Sequence, residues 1–355
     1  MYNASHDVKT SQNKMTINPT FQAELKTIKR FIADEVVPHE HLLLTQQWDE
    51  LEHVLTNLRK KVKHHNWWST HFPTNMDSPS MYMTGLLSEV VGQSPLGHYV
   101  FGMQAPDIGN VELLHDHASD EIKQQWLNPL MNGDIRSCFA MTEPDNAGSN
   151  PTLLSTTATS SGDDWLITGR KWFTTSAEGA AFTIVMAVTN PEAEKHNRAS
   201  MIVVPMDNEG LQFKRNIPIM GHSGSGYFSH AELEFNQCRV PKSNTIGPVG
   251  AGFKLAQHRL GPGRIHHCMR WIGIAQRCFD IWRLWKNVAL LHVMPVAMAT
   301  ADAGLTNMSC TSILPLAQAH ARRVAIEVAT GLCLKMRRGE TSQKRAGKVS
   351  RVRRG

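Results

Sequence analysis

The chain has 355 residues, of which 41% are hydrophobic and 19% are charged, so it has the composition of an ordinary globular protein with room for two or three domains. Its formal net charge is +6, but residues 335–355 hold nine Lys or Arg against one acid, whereas the rest of the chain holds 28 basic and 30 acidic side chains. The basicity is therefore a property of the tail. Because the tail has no aromatic residue to stack on bases, it does not favour nucleic acid as a partner.

The first twenty residues contain no apolar run of signal-peptide length. No uninterrupted apolar stretch of the chain reaches the roughly 18 residues that a membrane helix needs. We therefore expect a soluble, intracellular protein, cytoplasmic if it is bacterial, with no membrane partner.

The N-terminal part has the apolar spacing of helices. Residues three or four positions apart line one face of a helix that ends near Pro38, namely Phe21, Leu25, Ile28, Ile32 and Val36. Residues 48–63, 85–92 and 111–131 also have a helical pattern. The sequence thus predicts an N-terminal α-helical domain over residues 1–135.

Short β-rich runs follow from Ser137, separated by turn residues. Gly162, Asp163 and Asp164 form a hairpin-type turn between two of these runs, and residues 207–210 form a second turn. This pattern predicts a middle β domain over residues 136–245.

A glycine-rich loop then precedes a helical repeat of apolar residues that is expected to face a core, namely Ile265, Cys268, Ile272, Ala275 and Phe279. Residues 246–282 are interpreted as the start of a C-terminal helical domain. After Trp282 the helical phase is lost, and residues 283–355 are interpreted as a divergent basic tail, which a shifted reading frame would explain. Together, these patterns predict an α+β fold with an incomplete C-terminal helical domain.

Three segments carry candidate chemistry. The first runs from Phe139 through Thr142-Glu143-Pro144 to Asn150, a strand entering a tight loop whose amides and hydroxyls could receive a flat cofactor, although such segments are more often simple turns. The second, residues 169–176, places an aromatic pair before three hydroxyls, a pattern that also suits core packing.

The third segment, residues 259–268, is predicted to form a Gly-Pro-Gly turn that opens the long helix and brings Arg264 into its first turn, where an anion or a polarised carbonyl could bind. His266 and His267 are adjacent and point about 100° apart on a helix, so they do not favour a shared metal ion. His115 and His117 lack an evident third ligand. The sequence therefore predicts no metal site.

In their order and spacing, the three segments resemble the acyl-CoA dehydrogenase family. Its signature is Thr-Glu-Pro with a small-residue loop, a hairpin, a Gly-x-Lys-x-Trp segment, and a glycine-rich loop before a helix that carries an arginine. The resemblance covers residues 21–282 and is strongest to the long-chain branch whose larger members are fused to a phosphotransferase-like domain. It implies FAD-dependent α,β-dehydrogenation of acyl-CoA in fatty acid β-oxidation, with electron-transfer flavoprotein as acceptor and a homo-oligomeric state if the C-terminal domain folds.

The resemblance also implies roles for individual residues. The residues expected at the flavin are Phe139, Ala140, Met141, Thr142, Gly148, Ser149, Phe173, Thr174 and Thr175. The residues expected at the acyl-CoA are Ser149, Gly261, Pro262, Gly263 and Arg264. Two positions depart from the family pattern: Asn150 replaces the usual aspartate and Phe173 replaces the usual tryptophan.

The family's reaction needs a carboxylate to remove the α-proton of the substrate. Most members carry this base late in the C-terminal helical domain, and a minority carry it at the position of Gly263, which has no side chain. No carboxylate base is recognised in this sequence, so the catalytic residue is unknown. The alternative is therefore a catalytically inactive or truncated relative that still binds flavin or acyl-CoA.

Overall fold

The computed structural model describes residues 19–68 and 81–302, and of residues 284–302 only the backbone. Within these limits the chain forms a group of helices, a mixed β-sheet and one long helix that packs against both. The predicted α+β fold with N-terminal helices and a middle β domain is confirmed. Of the tail predicted over residues 283–355, the part up to Asp302 continues the long helix, and residues 303–355 lie outside the described residues.

The N-terminal helices are α1 (Pro19–Phe31), α2 (Glu40–Leu44), α3 (Trp48–His64), α4 (Met81–Val91), α5 (Gly97–Val100), α6 (Asp107–His117), α7 (Asp120–Ile122) and α8 (Asn128–Asn132). The apolar face predicted for α1 is buried at Ile28 and continues at Ile32 and Val36 through a π-helical turn. The chain then tightens into a 3₁₀ turn that contains Pro38, which cannot donate a helix hydrogen bond.

The sheet has eight strands: β1 (Ser137–Ala140), β2 (Thr157–Ser161), β3 (Asp164–Thr175), β4 (Phe182–Val188), β5 (Ala199–Pro205), β6 (Leu211–Asn216), β7 (His230–Pro241) and β8 (Thr245–Ile246). Seven follow the order β6-β7-β3-β2-β4-β5-β8, and β1 pairs with β4 in parallel. The predicted turn at residues 162–164 joins β2 and β3, where Ser161 pairs with Asp164 and Gly162 has φ +61°.

Both faces of β4 are buried, because its side chains alternate between two apolar cores. Val185 and Ala187 belong to a core formed by the β-strands, whereas Ile184 and Met186 face a second core that includes residues of α6 and α7. This second core fixes the helices against the sheet and so positions the strand ends that carry the candidate motifs.

The long helix α9 (Gly252–Asp302) corrects one prediction. Gly261, Pro262 and Gly263 lie inside the helix rather than in a turn before it, so Arg264 is not in the first turn and no helix N-terminus lies beside it. Tertiary packing accounts for the difference: Leu255 and Ala256, in the first turns, are buried in the second core. Their burial outweighs the weak helix propensity of the Gly-Pro-Gly segment.

A second correction concerns the face of α9. The apolar stripe was predicted to face a core, yet Ile265, Ile272 and Ala275 are exposed. The opposite face packs against the N-terminal helices instead, with His266 and Gly273 buried. Gly273 is needed at this contact, because a Cβ there would lie 2.1 Å from the carbonyl oxygen of Glu89 on α4. Close helix packing, not apolar periodicity, therefore sets the orientation of α9.

In the part of the chain that the structure describes, none of the helices combines the length and apolar character required to cross a membrane.

Candidate flavin and substrate site

The ends of β1 and β3 come together in the sheet and join the first two motifs. The amide of Trp172 donates a hydrogen bond of 3.0 Å to the carbonyl oxygen of Thr142. Phe139 is half-buried and Ala140 is buried at the end of β1, and Met141 and Thr142 follow as a half-buried segment. The predicted flavin residues of the two motifs are thus neighbours, although they lie some thirty positions apart in the chain.

A buried ion pair holds this junction. The Lys171 ammonium donates to Oε1 of Glu143 at 2.8 Å and to the carbonyl oxygen of Met141 at 2.9 Å. Lys171 is 0% exposed and Glu143 is 3% exposed. Glu143 also accepts hydrogen bonds from the amides of Ser155 and Thr156. One carboxylate and one ammonium therefore tie together β1, β3 and the loop that leads to β2.

Electrostatics at the pair follow from its burial. Burial lowers the pKa of Lys171 to about 8, against the opposing effect of Glu143. For Glu143, burial raises the pKa, but the Lys171 charge and the two backbone amides outweigh it and keep the pKa below its usual value. Both groups are therefore charged at neutral pH. The pairing of Glu143 with Lys171 could not be predicted from the sequence, because only the folded sheet brings the two side chains into contact.

Phe173 lies in a bulge of β3. The pairing of β3 with β7 shifts between Lys171 and Thr174, and Phe173 has a positive φ of +49°, which is rare for an aromatic residue. Its side chain is 41% exposed, and its ring centroid lies 4.8 Å from that of Trp172. Strained backbone of this kind is often found at binding sites, and here it presents an aromatic ring at the surface beside the β1 motif.

The hydroxyls after Phe173 point into different surroundings. Thr174 is buried, and among the described residues its Oγ1 has no hydrogen-bond partner. Thr175 is half-buried, and its Oγ1 lies 3.0 Å from Nδ1 of His230. Thr174 therefore faces the interior of the sheet, whereas Thr175 lies closer to the surface.

The loop after Glu143 is exposed from Ala147 to Asn150. A Cβ on Gly148 would lie 2.9 Å from Cγ2 of Thr142, so glycine allows this loop to approach the end of β1 closely. Ser149 is exposed. Asn150, which stands where the family usually has aspartate, accepts hydrogen bonds from the amide and the hydroxyl of Thr152 at 3.2 and 2.6 Å. Its carbonyl therefore performs the turn-capping role that a carboxylate would also serve.

Arg259 brings the third motif into contact with the first motif. Its guanidinium lies 4.1 Å from the centroid of the Phe139 ring and donates to Oδ1 of Asn110 at 3.0 Å. Burial lowers the pKa of Arg259 to about 10. The sequence analysis included Arg259 in the motif without a role, because its partner on α6 is 149 positions away. Arg259 thus fixes α9 against β1.

The predicted substrate residues lie two to five positions after Arg259 along α9. Gly261, Pro262 and Gly263 are half-buried, and a Cβ on either glycine would meet no atom within 4 Å. Arg264 is exposed, and within the described ranges it has neither a hydrogen bond nor an ion pair. No contact among those residues joins it to Ser149. The structure therefore places the substrate motif near the flavin motifs through Arg259, but does not bring Arg264 and Ser149 together.

A cleft of about 310 Å³ lies beyond these residues, between α9 and the segment that includes α5. Its lining consists of Gly92, Ser94, Pro95, His98, Tyr99, His267, Arg270, Trp271 and Ile274. None of the predicted substrate residues lines it. Sequence reasoning missed the cleft because its two walls come from segments that are distant in the chain.

This arrangement, a mixed β-sheet packed between helices with a long helix beside the two strand motifs, agrees with the domains of one family of flavoprotein dehydrogenases. The acyl-CoA dehydrogenase N-terminal domain matches residues 18–134, and the acyl-CoA dehydrogenase middle domain matches residues 138–238. The chain belongs to the acyl-CoA dehydrogenase family, whose members are FAD-dependent oxidoreductases.

Individual relatives agree with this assignment. Acyl-CoA dehydrogenase family member 11 of Gallus gallus is 38% identical over 272 residues, which are 73% of this chain and 35% of the relative. FadE2 of Mycobacterium tuberculosis, named a probable acyl-CoA dehydrogenase, is 39% identical over 64% of this chain and 56% of its own length. A solved structure of a family protein from Mycobacterium abscessus is 36% identical, with a TM-score of 0.68, and covers 75% of this chain and 69% of that one. The chain thus spans about a third of the length of the family member 11 proteins.

Proposed function

We propose that this chain binds FAD and an acyl-CoA and carries out α,β-dehydrogenation of the thioester, as part of fatty acid β-oxidation. The observation that carries the proposal is the junction of β1 and β3, where the backbone of Thr142 and Trp172 is paired and the Phe173 ring is exposed. When bound, FAD would accept the β-hydrogen of the substrate as hydride.

The residues of the junction fit a flavin. The exposed Phe173 ring offers a surface for the flat ring system, and Thr174 and Thr175 follow it with hydroxyls. The segment Phe139–Thr142 and the Gly148 and Ser149 amides would complete the cofactor site. Lys171 and Glu143 would act on the cofactor only through the backbone that they hold.

For the substrate, we propose contacts with Ser149 and with residues 261–264. Gly261 and Gly263 leave free space along α9, and Arg264 offers an unpaired guanidinium, as judged from the described residues. The cleft beside His267 and Arg270 is a candidate for the acyl chain. The long-chain preference, electron-transfer flavoprotein as acceptor and a homo-oligomer are further parts of the proposal. The exposed apolar residues of α9 support an additional packing partner for this helix.

One observation favours a second candidate function. Deprotonation of the substrate at its α-carbon needs a carboxylate, and Gly263 has none to offer at the position used by a minority of the family. The late position used by most members was not recognised in the sequence, and residues 303–355 lie outside the described part of the chain. The second candidate is therefore a relative that binds flavin and acyl-CoA without turnover.

A spectroscopic titration separates the two candidates. The protein is purified, its flavin absorbance is recorded, and a long-chain acyl-CoA is added under anaerobic conditions. Bleaching of the oxidised flavin band supports the dehydrogenase. A perturbed band without bleaching supports the binding protein, and a protein that neither retains nor rebinds FAD contradicts both.

The basic tail has a separate interpretation as an anionic-surface binder. Salt-sensitive DNA binding that disappears when residues 335–355 are deleted would support that interpretation. Binding that survives the deletion would contradict it.

A further inference from the structure

The C-terminal end of α6 and the first turns of α9 bring three metal-ligating side chains together. Nε2 of His117 lies 3.2 Å from Nδ1 of His258, and Oδ2 of Asp116 lies 3.9 Å from the same Nδ1. The three donor atoms all lie within 4.8 Å of one another. We propose that Asp116, His117 and His258 form a site for a divalent transition-metal ion of the zinc type, independent of the proposed function.

The ligand set and spacing suit zinc. Two imidazoles and a carboxylate are common zinc ligands, with Zn–N distances of about 2.0–2.1 Å. In a tetrahedral site, two such nitrogens lie about 3.3–3.4 Å apart, close to the 3.2 Å between His117 and His258. Asp116 is exposed, and its carboxylate, now 3.9 Å from Nδ1 of His258, would have to move closer to serve as the third protein ligand. A water molecule would take the fourth position.

The surroundings of the site also favour a cation. His117 is the last residue of α6, an 11-residue helix whose C-terminal end carries a partial negative charge. Its backbone is held there, because its carbonyl oxygen accepts a hydrogen bond from the amide of Gly247. Asp116 is oriented by His115, whose Nδ1 lies 2.9 Å from Oδ1 of Asp116. The other carboxylate oxygen, Oδ2, is the one nearer to His258.

One neighbouring charge opposes the site. Lys254 lies one turn before His258 on α9, and its ammonium acts against a bound cation.

A metal ion here would link the N-terminal helices to α9. Asp116 and His117 belong to the N-terminal helices, whereas His258 belongs to α9, which also carries Arg259 and the substrate motif. Sequence analysis rejected a metal at His115 and His117 for want of a third ligand. The structure supplies that ligand from a residue 141 positions away and uses Asp116 in place of His115.

Isothermal titration of the chelator-treated full chain with zinc chloride tests the site. We expect one saturable site near neutral pH, and at least ten-fold weaker binding in His258→Ala and in Asp116→Asn. His196→Ala is the matched control, because His196 is also exposed and also packs against the start of α9, through its ring on Phe253. Its zinc affinity should equal that of the unaltered protein.

Thermal unfolding gives a second readout, in which the His258→Ala comparison separates this site from other zinc-binding residues of the chain. Zinc should raise the unfolding temperature of the unaltered protein and of His196→Ala, but not that of His258→Ala. Without metal, all three should unfold at similar temperatures, since these side chains are on the surface. Equal zinc affinity in His258→Ala and the unaltered protein, or the lack of any saturable site, would overturn the proposal.

Discussion

The Lys171 ammonium and the Glu143 carboxylate lie 2.8 Å apart in a part of the molecule that water does not reach. Lys171 comes from the strand that carries Phe173, and Glu143 comes from the Thr-Glu-Pro segment. The pair therefore couples the two halves of the candidate flavin site. Without Lys171, the Glu143 carboxylate would keep its hydrogen bonds from Asn146, Ser155 and Thr156 but lose the cation beside it, so its buried charge would be incompletely compensated.

Lys171→Met should destabilise the protein strongly. It leaves the buried Glu143 carboxylate without its cation, which typically costs about 3–5 kcal/mol. The free energy of unfolding, measured by urea denaturation, checks this value. Lys214→Met is the matched control, because the Lys214–Glu234 pair has a similar distance of 2.9 Å but is partly exposed. That control should change stability by less than about 1 kcal/mol.

His98 should make stability depend on pH. It is buried on α5, and burial, followed by Arg270 and His267, lowers its pKa well below 6.5. As the pH falls through about 6.5, His98 therefore binds a proton in the unfolded chain but not in the folded chain. Stability present above pH 6.5 is lost as the pH falls below it, by up to about 1.4 kcal/mol per pH unit for this group.

Urea denaturation across this pH range measures the effect. His98→Leu should show a shallower loss of stability toward acid than the unaltered protein, whereas His196→Leu should keep the original slope. His267, whose pKa is also lowered by partial desolvation and by Arg270 although the residue is largely exposed, is unaltered in all three proteins. Identical slopes in His98→Leu and the unaltered protein would show that His98 is not buried in its neutral form.

Phe173 should contribute to FAD affinity more than to stability. Its exposed ring can stack on the flavin, and such aromatic contacts contribute about 0.5–1.5 kcal/mol, or a two- to ten-fold change in affinity. Phe173→Ala should weaken FAD binding by this factor in a fluorescence titration. Phe213→Ala removes a similarly exposed ring from β6 and should leave the affinity unchanged. Equal losses in both variants would argue that Phe173 does not contact the cofactor.

Sequence patterns predicted the parts of the fold that depend on local contacts. The apolar spacing of α1 and α3, the continuous apolar run of β4 and the Gly162 turn are each determined by neighbours in the chain. Strand β6 was not predicted, because its apolar residues are only Leu211 and Phe213, and an alternation of two apolar residues is too short to identify a strand.

The errors concern contacts between distant segments. The start of α9 depends on burial of Leu255 in a core built by other elements, and its orientation depends on the close approach of Gly273 to α4. For the same reason, the order of the three motifs in the sequence predicted that they form one site. It could not show that Arg259 of α9 contacts Phe139. Pair contacts such as His117 with His258 leave no periodic signal in either segment.

Gly263→Glu should place a carboxylate at position 263, which we propose, from the family resemblance, to correspond to the base position of a minority of the family. A side chain there would enter open space on α9. Gly263 has a helical backbone with no positive φ, so glutamate fits and should raise helix stability by about 0.5 kcal/mol. If the unaltered chain lacks a base, Gly263→Glu should speed the anaerobic reduction of bound flavin by an acyl-CoA about 100-fold or more, since general base catalysis commonly contributes that much.

Gln276→Glu is the control for this gain. It adds a carboxylate at an exposed position of the same helix, outside the proposed flavin and substrate residues. Flavin reduction should stay at the level of the unaltered chain. Stopped-flow absorbance of the flavin band compares the three proteins directly. A fast reaction in the unaltered chain would show that a base lies elsewhere, and equal rates in both variants would show that position 263 does not face the substrate.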